Sequence, residues 1–129
     1  MLAHIGLHVR DLVASTRFYQ AVLSPLGYEL CSRDDTSVSF GRAEDPALYL
    51  YATPRGATSA IHLALRAERR PAVRAFHERG LLAGGKDHGA PGVRTDYSPN
   101  YYAAFLLDPD GNNVEAVCSS AQGREGGQG

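Results

Sequence analysis

The length and composition of the chain describe a single globular domain. It has 129 residues, 43% of them hydrophobic, which is enough for one core and too little for two ordinary domains. The 13 Lys and Arg residues nearly balance the 14 Asp and Glu residues, which argues against nucleic acid as a partner. No apolar run reaches the roughly 20 residues of a membrane helix, and the amino terminus lacks a secretory signal pattern. We therefore expect a cytoplasmic protein with no membrane or nucleic-acid partner.

The sequence repeats itself when residue 4 is aligned with residue 62. HIGLHVRD (4–11) then matches HLALRAER (62–69), and Phe18 meets Phe76 without a gap. Each copy predicts a strand, a helix and three further strands. We predict an α+β fold of two tandem βαβββ units, residues 2–52 and 60–118, within one domain over 1–118. Residues 119–129 are polar and Gly-rich and are expected to form a tail.

The first unit begins with a strand in HIGLHV. Alternation places its aliphatic side chains on one face and His4 on the other. Asp11 is positioned to cap the helix that follows, which is expected to end near Pro25 and Gly27. Three strands follow at about 28–33, 36–41 and 47–52.

The second unit begins with a strand in AIHLAL, whose polar face carries His62. Pro71 falls in the first turn of the next helix, and Gly80 together with Gly84–Gly85 is expected to end it. Asp108-Pro109-Asp110-Gly111 predicts a type I turn. Three strands are expected at about 87–93, 101–107 and 112–118.

Three side chains are candidate metal ligands. His4 and His62 hold equivalent places in the two first strands, so a twofold relation between the units would bring their imidazoles together. Glu115 lies in the apolar segment NNVEAVC, where a buried carboxylate needs a partner. Two imidazoles and one carboxylate form the facial triad of divalent first-row metals. We predict a metal site of His4, His62 and Glu115.

Other polar and aromatic side chains are candidates for a substrate pocket. His8 lies one pleat beyond the first predicted ligand and is expected at the rim of the site. The segment RTDYSPNYY concentrates aromatic residues. Its Arg94, Tyr97 and Tyr102 could line a pocket for a small oxygenated or aromatic molecule, or the tyrosines could cover a sheet edge. His77, on the second helix, is expected to be solvated.

The paired units resemble the vicinal oxygen chelate superfamily, which includes glyoxalases, extradiol dioxygenases, fosfomycin resistance enzymes and bleomycin-binding proteins. The resemblance covers residues 2–118 and rests on HIGLHVRDLVASTRFYQAVLSPLGY, on IHLAL and, most specifically, on YYAAFLLDPDGNNVEAVC. It implies a cleft between two curved half-barrel sheets, with His4, His62 and Glu115 as the metal ligands. The fourth symmetry-related position, where a usual glyoxalase I has a carboxylate, falls near Tyr49, which is a further candidate for the substrate pocket. This difference implies an open site with three ligands.

The resemblance also implies a function and a partner. We expect a homodimer that acts on a small substrate with vicinal oxygens, as a lyase, isomerase or dioxygenase that depends on one divalent metal ion per chain (Fe, Mn, Zn, Ni or Co). The alternative is a non-catalytic dimeric binder that sequesters a drug or metabolite, as in bleomycin resistance. A small module with a vestigial site is a third possibility. The chain lacks the GxSxG, P-loop and GxGxxG patterns of other enzyme classes.

Overall fold

The computed structural model describes residues 2–43, 45–53 and 61–119. Within them the predicted fold of two βαβββ units is confirmed. The predicted tail lies outside the described residues from residue 120 onward. The first unit comprises β1 (Ile5–Val9), α1 (Leu12–Leu23), β2 (Glu29–Arg33), β3 (Ser37–Arg42) and β4 (Asp45–Ala52), and the second comprises β5 (His62–Arg66), α2 (Arg70–Leu82), β6 (Lys86–Val93), β7 (Tyr102–Leu107) and β8 (Asn113–Cys118).

Each unit forms an open four-stranded sheet of the same topology. The strand orders are β1-β4-β3-β2 and β5-β8-β7-β6. The first and last strands of a unit pair in parallel, and the other neighbours pair antiparallel. Gly6 lies opposite Tyr49 in the first sheet, and Ala64 lies opposite Glu115 in the second. Tyr49 and Glu115 therefore occupy equivalent positions in the two sheets, as the resemblance implied.

Capping, proline and glycine residues near their ends determine where the two helices begin and end. The Asp11 side chain accepts a hydrogen bond from the Ala14 N–H at 3.0 Å and so satisfies a free donor at the start of α1. A 3₁₀ turn follows α1 and closes on Gly27, whose φ of +90° favours glycine. Pro71 lies in the first turn of α2. Beyond α2 the chain turns at Gly84, where φ is +98°.

Gly80 does not end α2 as the sequence suggested. It lies within the helix and is buried. A Cβ at this position would lie 2.3 Å from Leu106 Cδ1 and 2.8 Å from Val22 Cγ1. Gly80 therefore allows α2 to approach both β7 and α1 more closely than a larger residue would permit.

One hydrophobic core joins the two units. Each helix packs against its own sheet, and the helices pack against each other. Phe18 and Val22 of α1 are fully buried in this core, as is Phe76 of α2. Burial of each such side chain contributes roughly 1.5–3 kcal/mol. The apolar face of each sheet is thereby covered, while its other face remains available for a site.

A buried hydrogen-bond cluster also connects the units. The Tyr19 hydroxyl of α1 donates to an Asp108 carboxylate oxygen in the β7–β8 turn. Asp108 also accepts from the backbone N–H groups of Asp110 and Asn112, at 2.9 and 2.8 Å. Burial and the neighbouring Asp108 carboxylate raise the pKa of the Tyr19 phenol well above its ordinary value. The phenol therefore remains a donor at neutral pH.

Both cysteines are free thiols. Cys118 is buried and Cys31 is partly buried. Among the described residues, no helix has both the length and the apolarity to span a membrane.

Candidate functional site

The second unit brings a histidine and a glutamate together on its open face, by which we mean the face of a sheet that points away from the helices. His62 Nε2 lies 2.6 Å from Glu115 Oε1. The parallel register pairs His62 with Asn113, so Glu115, two residues further along β8, is its diagonal neighbour on the same face. The Glu115 side chain is 3% exposed and that of His62 is 55% exposed. A buried carboxylate thus borders a solvent-accessible imidazole.

Tyr101 satisfies the other oxygen of this carboxylate. Its hydroxyl donates to Glu115 Oε2 at 2.7 Å. Burial, together with the hydrogen bond to Glu115, raises the pKa of Tyr101 to about 12, so the phenol stays protonated at neutral pH. The Tyr97 ring packs against it with centroids 4.7 Å apart, and the Arg94 N–H donates to the Tyr101 carbonyl at 2.7 Å. Glu115 is therefore held by hydrogen bonds at both oxygens.

The substrate-pocket candidates Arg94 and Tyr102, from the segment RTDYSPNYY, lie on opposite faces of the second sheet. The Arg94 guanidinium lies 5.6 Å from the centroid of Phe105, which pairs with Glu115 on the open face. Tyr102 instead packs against the core, with the Arg70 guanidinium 4.8 Å from its ring centroid. Arg94 thus borders the site, whereas Tyr102 lies on the opposite face.

The open face of the first unit carries aromatic rings. The His4 ring meets Tyr49 edge-on with centroids 5.3 Å apart. Tyr49 and Tyr51 are parallel to within 5°, with centroids 6.0 Å apart. The ring of His8 lies 5.5 Å from that of Tyr51, and His8 Nδ1 is 2.9 Å from Thr53 Oγ1. The position equivalent to Glu115 is thus part of an aromatic surface.

Within one chain, His4 does not join the His62–Glu115 pair. Across the described parts of the chain, no group of three or more His, Cys, Asp or Glu side chains is placed to hold a metal ion. The reason is that the two units pack through their helices and apolar faces, not through their open faces. Two of the three predicted ligands meet, and the assignment of all three to a metal stays a prediction.

Tyr101 and Tyr51 also lie at the open faces but were not predicted from the sequence. Strand parity is the signal that could have found both. Tyr101 precedes β7 and shares parity with Phe105, which lies opposite Glu115, whereas Tyr102 has the opposite parity. Tyr51 shares parity with Tyr49 in β4.

The prediction that His77 is solvated was wrong. Its side chain is only 12% exposed, and Nε2 lies 2.9 Å from Asp87 Oδ1. The hydrogen bond from His77 lowers the pKa of Asp87. This pair ties α2 to β6 and does not lie on the open face.

Solved structures share the fold of this chain. A glyoxalase/bleomycin resistance protein from Albidiferax ferrireducens T118 is 26% identical, with a TM-score of 0.77 over 93% of this chain and 99% of that chain. A glyoxalase-related enzyme from Fulvimarina pelagi is 22% identical, with a TM-score of 0.71 over 95% and 94% of the two chains. Lactoylglutathione lyase from Agrobacterium tumefaciens is 21% identical, with a TM-score of 0.65 over 91% and 92%. At 22% and 21% identity, the likeness to the last two structures shows only a shared fold.

The sequence also matches a family. The match spans residues 1–116 and is to the Glyoxalase/Bleomycin resistance protein/Dioxygenase superfamily. No curated protein matches the chain at a significant level. The family match covers nearly the whole chain and agrees with the paired βαβββ units, so this protein belongs to the glyoxalase/bleomycin resistance protein/dioxygenase superfamily.

Proposed function

We propose that this protein is a divalent-metal-dependent lyase, isomerase or dioxygenase that acts in the cytoplasm on a small substrate with vicinal oxygens. The observation that carries the proposal is the contact of His62 with Glu115, 2.6 Å apart on an open sheet face. A carboxylate that is 3% exposed and still borders an accessible imidazole suits a ligand site better than a surface ion pair. Membership of the superfamily supports the same interpretation.

The donor set suits a divalent metal. Imidazole nitrogen and carboxylate oxygen are common ligands of Fe, Mn, Zn, Ni and Co, and His62 Nε2 faces Glu115 Oε1. Tyr101 donates to Oε2 and would therefore leave Oε1 as the liganding atom while it holds the carboxylate in place. A metal bound here would act as a Lewis acid toward the substrate oxygens. Phe105 and Arg94, on the same face, would shape the surface beside it.

The third ligand in this proposal is His4 of a second copy of the chain. His4 is exposed and equivalent to His62 in the repeat, yet one chain does not bring it to Glu115. A homodimer in which the first sheet of one copy faces the second sheet of the other would complete the triad. By symmetry it would form two such sites and hold one metal ion per chain. Each sheet also has edge strands that a second copy could cover.

Mixing two inactive variants tests this arrangement directly. His4→Ala and Glu115→Ala should each abolish tight metal binding, measured by calorimetric titration with Mn²⁺, Fe²⁺, Co²⁺ and Zn²⁺. After the two variants are unfolded and refolded together, only the mixed dimers carry an intact site, so about one site in four should return. No recovery would contradict the shared site.

A further comparison separates the metal site from general stability. His77→Ala is the control, because His77 pairs with Asp87 away from the open faces and its loss should leave metal affinity unchanged. Elemental analysis of the purified protein should identify the metal. If the wild type binds none of the four metals more tightly than about millimolar, the metalloenzyme proposal is wrong.

Tyr49 favours a second candidate function, that of a non-catalytic dimeric binder of a drug or metabolite. The position equivalent to Glu115 carries an aromatic ring that contacts His4 and Tyr51, which suits ligand packing more than catalysis. Tight binding of an aromatic ligand by metal-free protein, unchanged in Glu115→Gln, would support this candidate over the first.

A further inference from the structure

We propose that a groove on the helix side of the molecule binds a small anion that carries two or more phosphoryl groups. The groove lies against α1 and also receives side chains from β2 and α2. We call it the arginine groove, and its polar lining consists of Arg17, Arg33, Arg79, Thr16, Gln20 and Ser24. It lies outside both open faces, so this inference goes beyond the proposed function and does not depend on it.

The first argument is the concentration of positive charge in the arginine groove. Arg17 comes from α1, Arg33 from the end of β2 and Arg79 from α2. No Asp or Glu of the described residues lines the groove, although the whole chain has a net charge of −1. A guanidinium stays charged at physiological pH, and its planar set of donors matches two phosphoryl oxygens at once. The groove therefore suits an anion.

The second argument is that two of these arginines are available to a ligand. Arg33 and Arg79 are exposed, and neither has a hydrogen-bond or ion-pair partner among the described residues. Asp34 follows Arg33 but accepts hydrogen bonds from the backbone N–H groups of Thr36 and Ser37, at 2.8 and 2.9 Å. A bound anion would therefore not have to displace a carboxylate from either arginine.

The third argument is that packing between the helices fixes the walls of the groove. Arg17 donates a hydrogen bond to the carbonyl of Leu82 at 3.0 Å, which holds it against the end of α2. Arg79 precedes Gly80, where a Cβ would lie only 2.8 Å from Val22 of α1. The close approach of the helices thus sets the relative positions of two cations before any ligand binds. Such preorganisation lowers the entropic cost of binding.

Neutral donors accompany the arginines. Thr16 lines the groove and is 2% exposed, and its hydroxyl has no hydrogen-bond partner among the described residues. A buried hydroxyl without a partner costs free energy, and an oxygen of a bound anion would supply the missing acceptor. Gln20 and Ser24 are exposed on the same side of α1 and carry an amide and a hydroxyl donor. All three favour a ligand rich in acceptor oxygens.

The size and surroundings of the groove indicate a compact ligand. Its volume is about 500 Å³, which is typical of small-molecule sites. No aromatic side chain of the described residues lines it, so charged groups would dominate recognition. Asp34 and Asp35 line an adjoining cavity with Arg33 and limit the extent of the positive surface, which disfavours a long polyanion such as nucleic acid. Three arginines suit a diphosphate group, either free or as an ester.

Calorimetric titration tests the site with three defined anions. Pyrophosphate, orthophosphate and ADP are each titrated into the full-length protein in EDTA, so that no metal bridges the anion to the protein. The variants are Arg33→Gln and Arg79→Gln, which remove exposed charges, and thermal melts check that each variant is folded. Arg66→Gln is the matched control, because it removes the same charge from an exposed position on β5, outside the groove.

The expected result is a loss confined to the groove variants. Arg33→Gln and Arg79→Gln should each weaken pyrophosphate binding about tenfold, and Arg66→Gln should weaken it less than about twofold. Orthophosphate, with one phosphoryl group, should bind the wild type at least about tenfold more weakly than pyrophosphate. Pyrophosphate should also raise the melting temperature of the wild type, because it binds the folded state.

The same titrations define the ligand and can refute the site. Binding of ADP with the same losses would identify a diphosphate ester as the ligand, whereas binding of pyrophosphate without ADP would identify free diphosphate. Pyrophosphate binding by the wild type that is weaker than about millimolar would overturn the inference. Equal losses in the control, no loss in the two groove variants, or orthophosphate binding as tight as that of pyrophosphate would also overturn it.

Discussion

The two units share a backbone plan and differ in the chemistry of their open faces. Both sheets have the same strand order and the same parallel pairing of first and last strands. At equivalent positions across β1, β4 and β3 the first unit has Gly6, Tyr49 and Ser39, and across β5, β8 and β7 the second has Ala64, Glu115 and Phe105. One unit therefore presents aromatic rings, and the other presents a carboxylate beside an imidazole.

This difference shows which positions must be similar in both units and which can differ. Residues that face the helices must be apolar in both units because they form one core, as Leu50 and Ala116 do. Residues on the open faces contribute little to that core, so they can diverge without loss of the fold. We expect equivalent substitutions on the two open faces to have unequal effects.

The largest expected difference is between the equivalent residues Glu115 and Tyr49. Loss of a residue that supports a metal ligand typically lowers metal affinity roughly 10–100-fold. Glu115→Gln should lower divalent-metal affinity by more than this, because it removes a charged ligand. Tyr49→Phe keeps the ring and should change that affinity less than about threefold. Calorimetric titration measures both variants, and thermal melts report any loss of stability. Equal effects would remove the functional distinction between the units.

Tyr101 should matter to the metal site through Glu115. Tyr101→Phe removes the donor to Glu115 Oε2 and should lower metal affinity about 10–100-fold. The matched control is Tyr102→Phe, since Tyr102 is the next residue but packs on the core side of the sheet. A metal affinity that is lowered equally by both changes would mean that the effect is structural. The measurement is the same titration, with unfolding curves for each variant.

Tyr19→Phe should weaken the connection between the units without altering either open face. It leaves the buried Asp108 carboxylate without one of its donors, which should cost about 1–3 kcal/mol of unfolding free energy. Urea denaturation measures the loss, while metal affinity at low denaturant should stay unchanged. A variant as stable as the wild type would show that the packed helices alone hold the units together.

The smallest effects are expected from one surface carboxylate in each unit. Backbone hydrogen bonds from Thr36 and Ser37 lower the pKa of Asp34 from 3.8, and the hydrogen bond from His77 lowers that of Asp87 from 3.8. Because each folded pKa lies below the unfolded value, each carboxylate stabilises the fold above about pH 4, and this contribution disappears as the pH falls through the folded pKa.

Asp34→Asn and Asp87→Asn should therefore melt slightly below the wild type at pH 7, with the difference shrinking toward pH 2. Melting temperatures across this range provide the test. A difference that does not depend on pH would show that the charge of the carboxylate contributes nothing.

Much of the fold could be predicted because local sequence patterns dictate it. The repeat between residues 4 and 62 implied two equivalent units, and alternation placed His62 and Glu115 on one face, where they are 2.6 Å apart. The predicted strand at about 28–33 is observed at Glu29–Arg33. Such patterns succeed because a strand shows the same side-chain period wherever its apolar face is buried.

Three features were decided by packing between elements. Gly80 was expected to end a helix, but it provides the space in which α2 meets α1 and β7. Parity in β7 separates Tyr101 from Tyr102, but the contact of Tyr101 with Glu115 depends on how β7 packs beside β8. His77 was expected in solvent, but α2 and β6 bring it to Asp87. Each depends on a neighbour distant in sequence.

By itself, the sequence determined the two βαβββ units and the face on which His4 and His62 lie. These follow from hydrophobic periodicity and from the repeat, both of which are local properties of the chain. Only the tertiary structure decided that His62 contacts Glu115 while His4 contacts the ring of Tyr49. The physical reason is that the units pack through their helices, an outcome of shape complementarity across the core that no local pattern records.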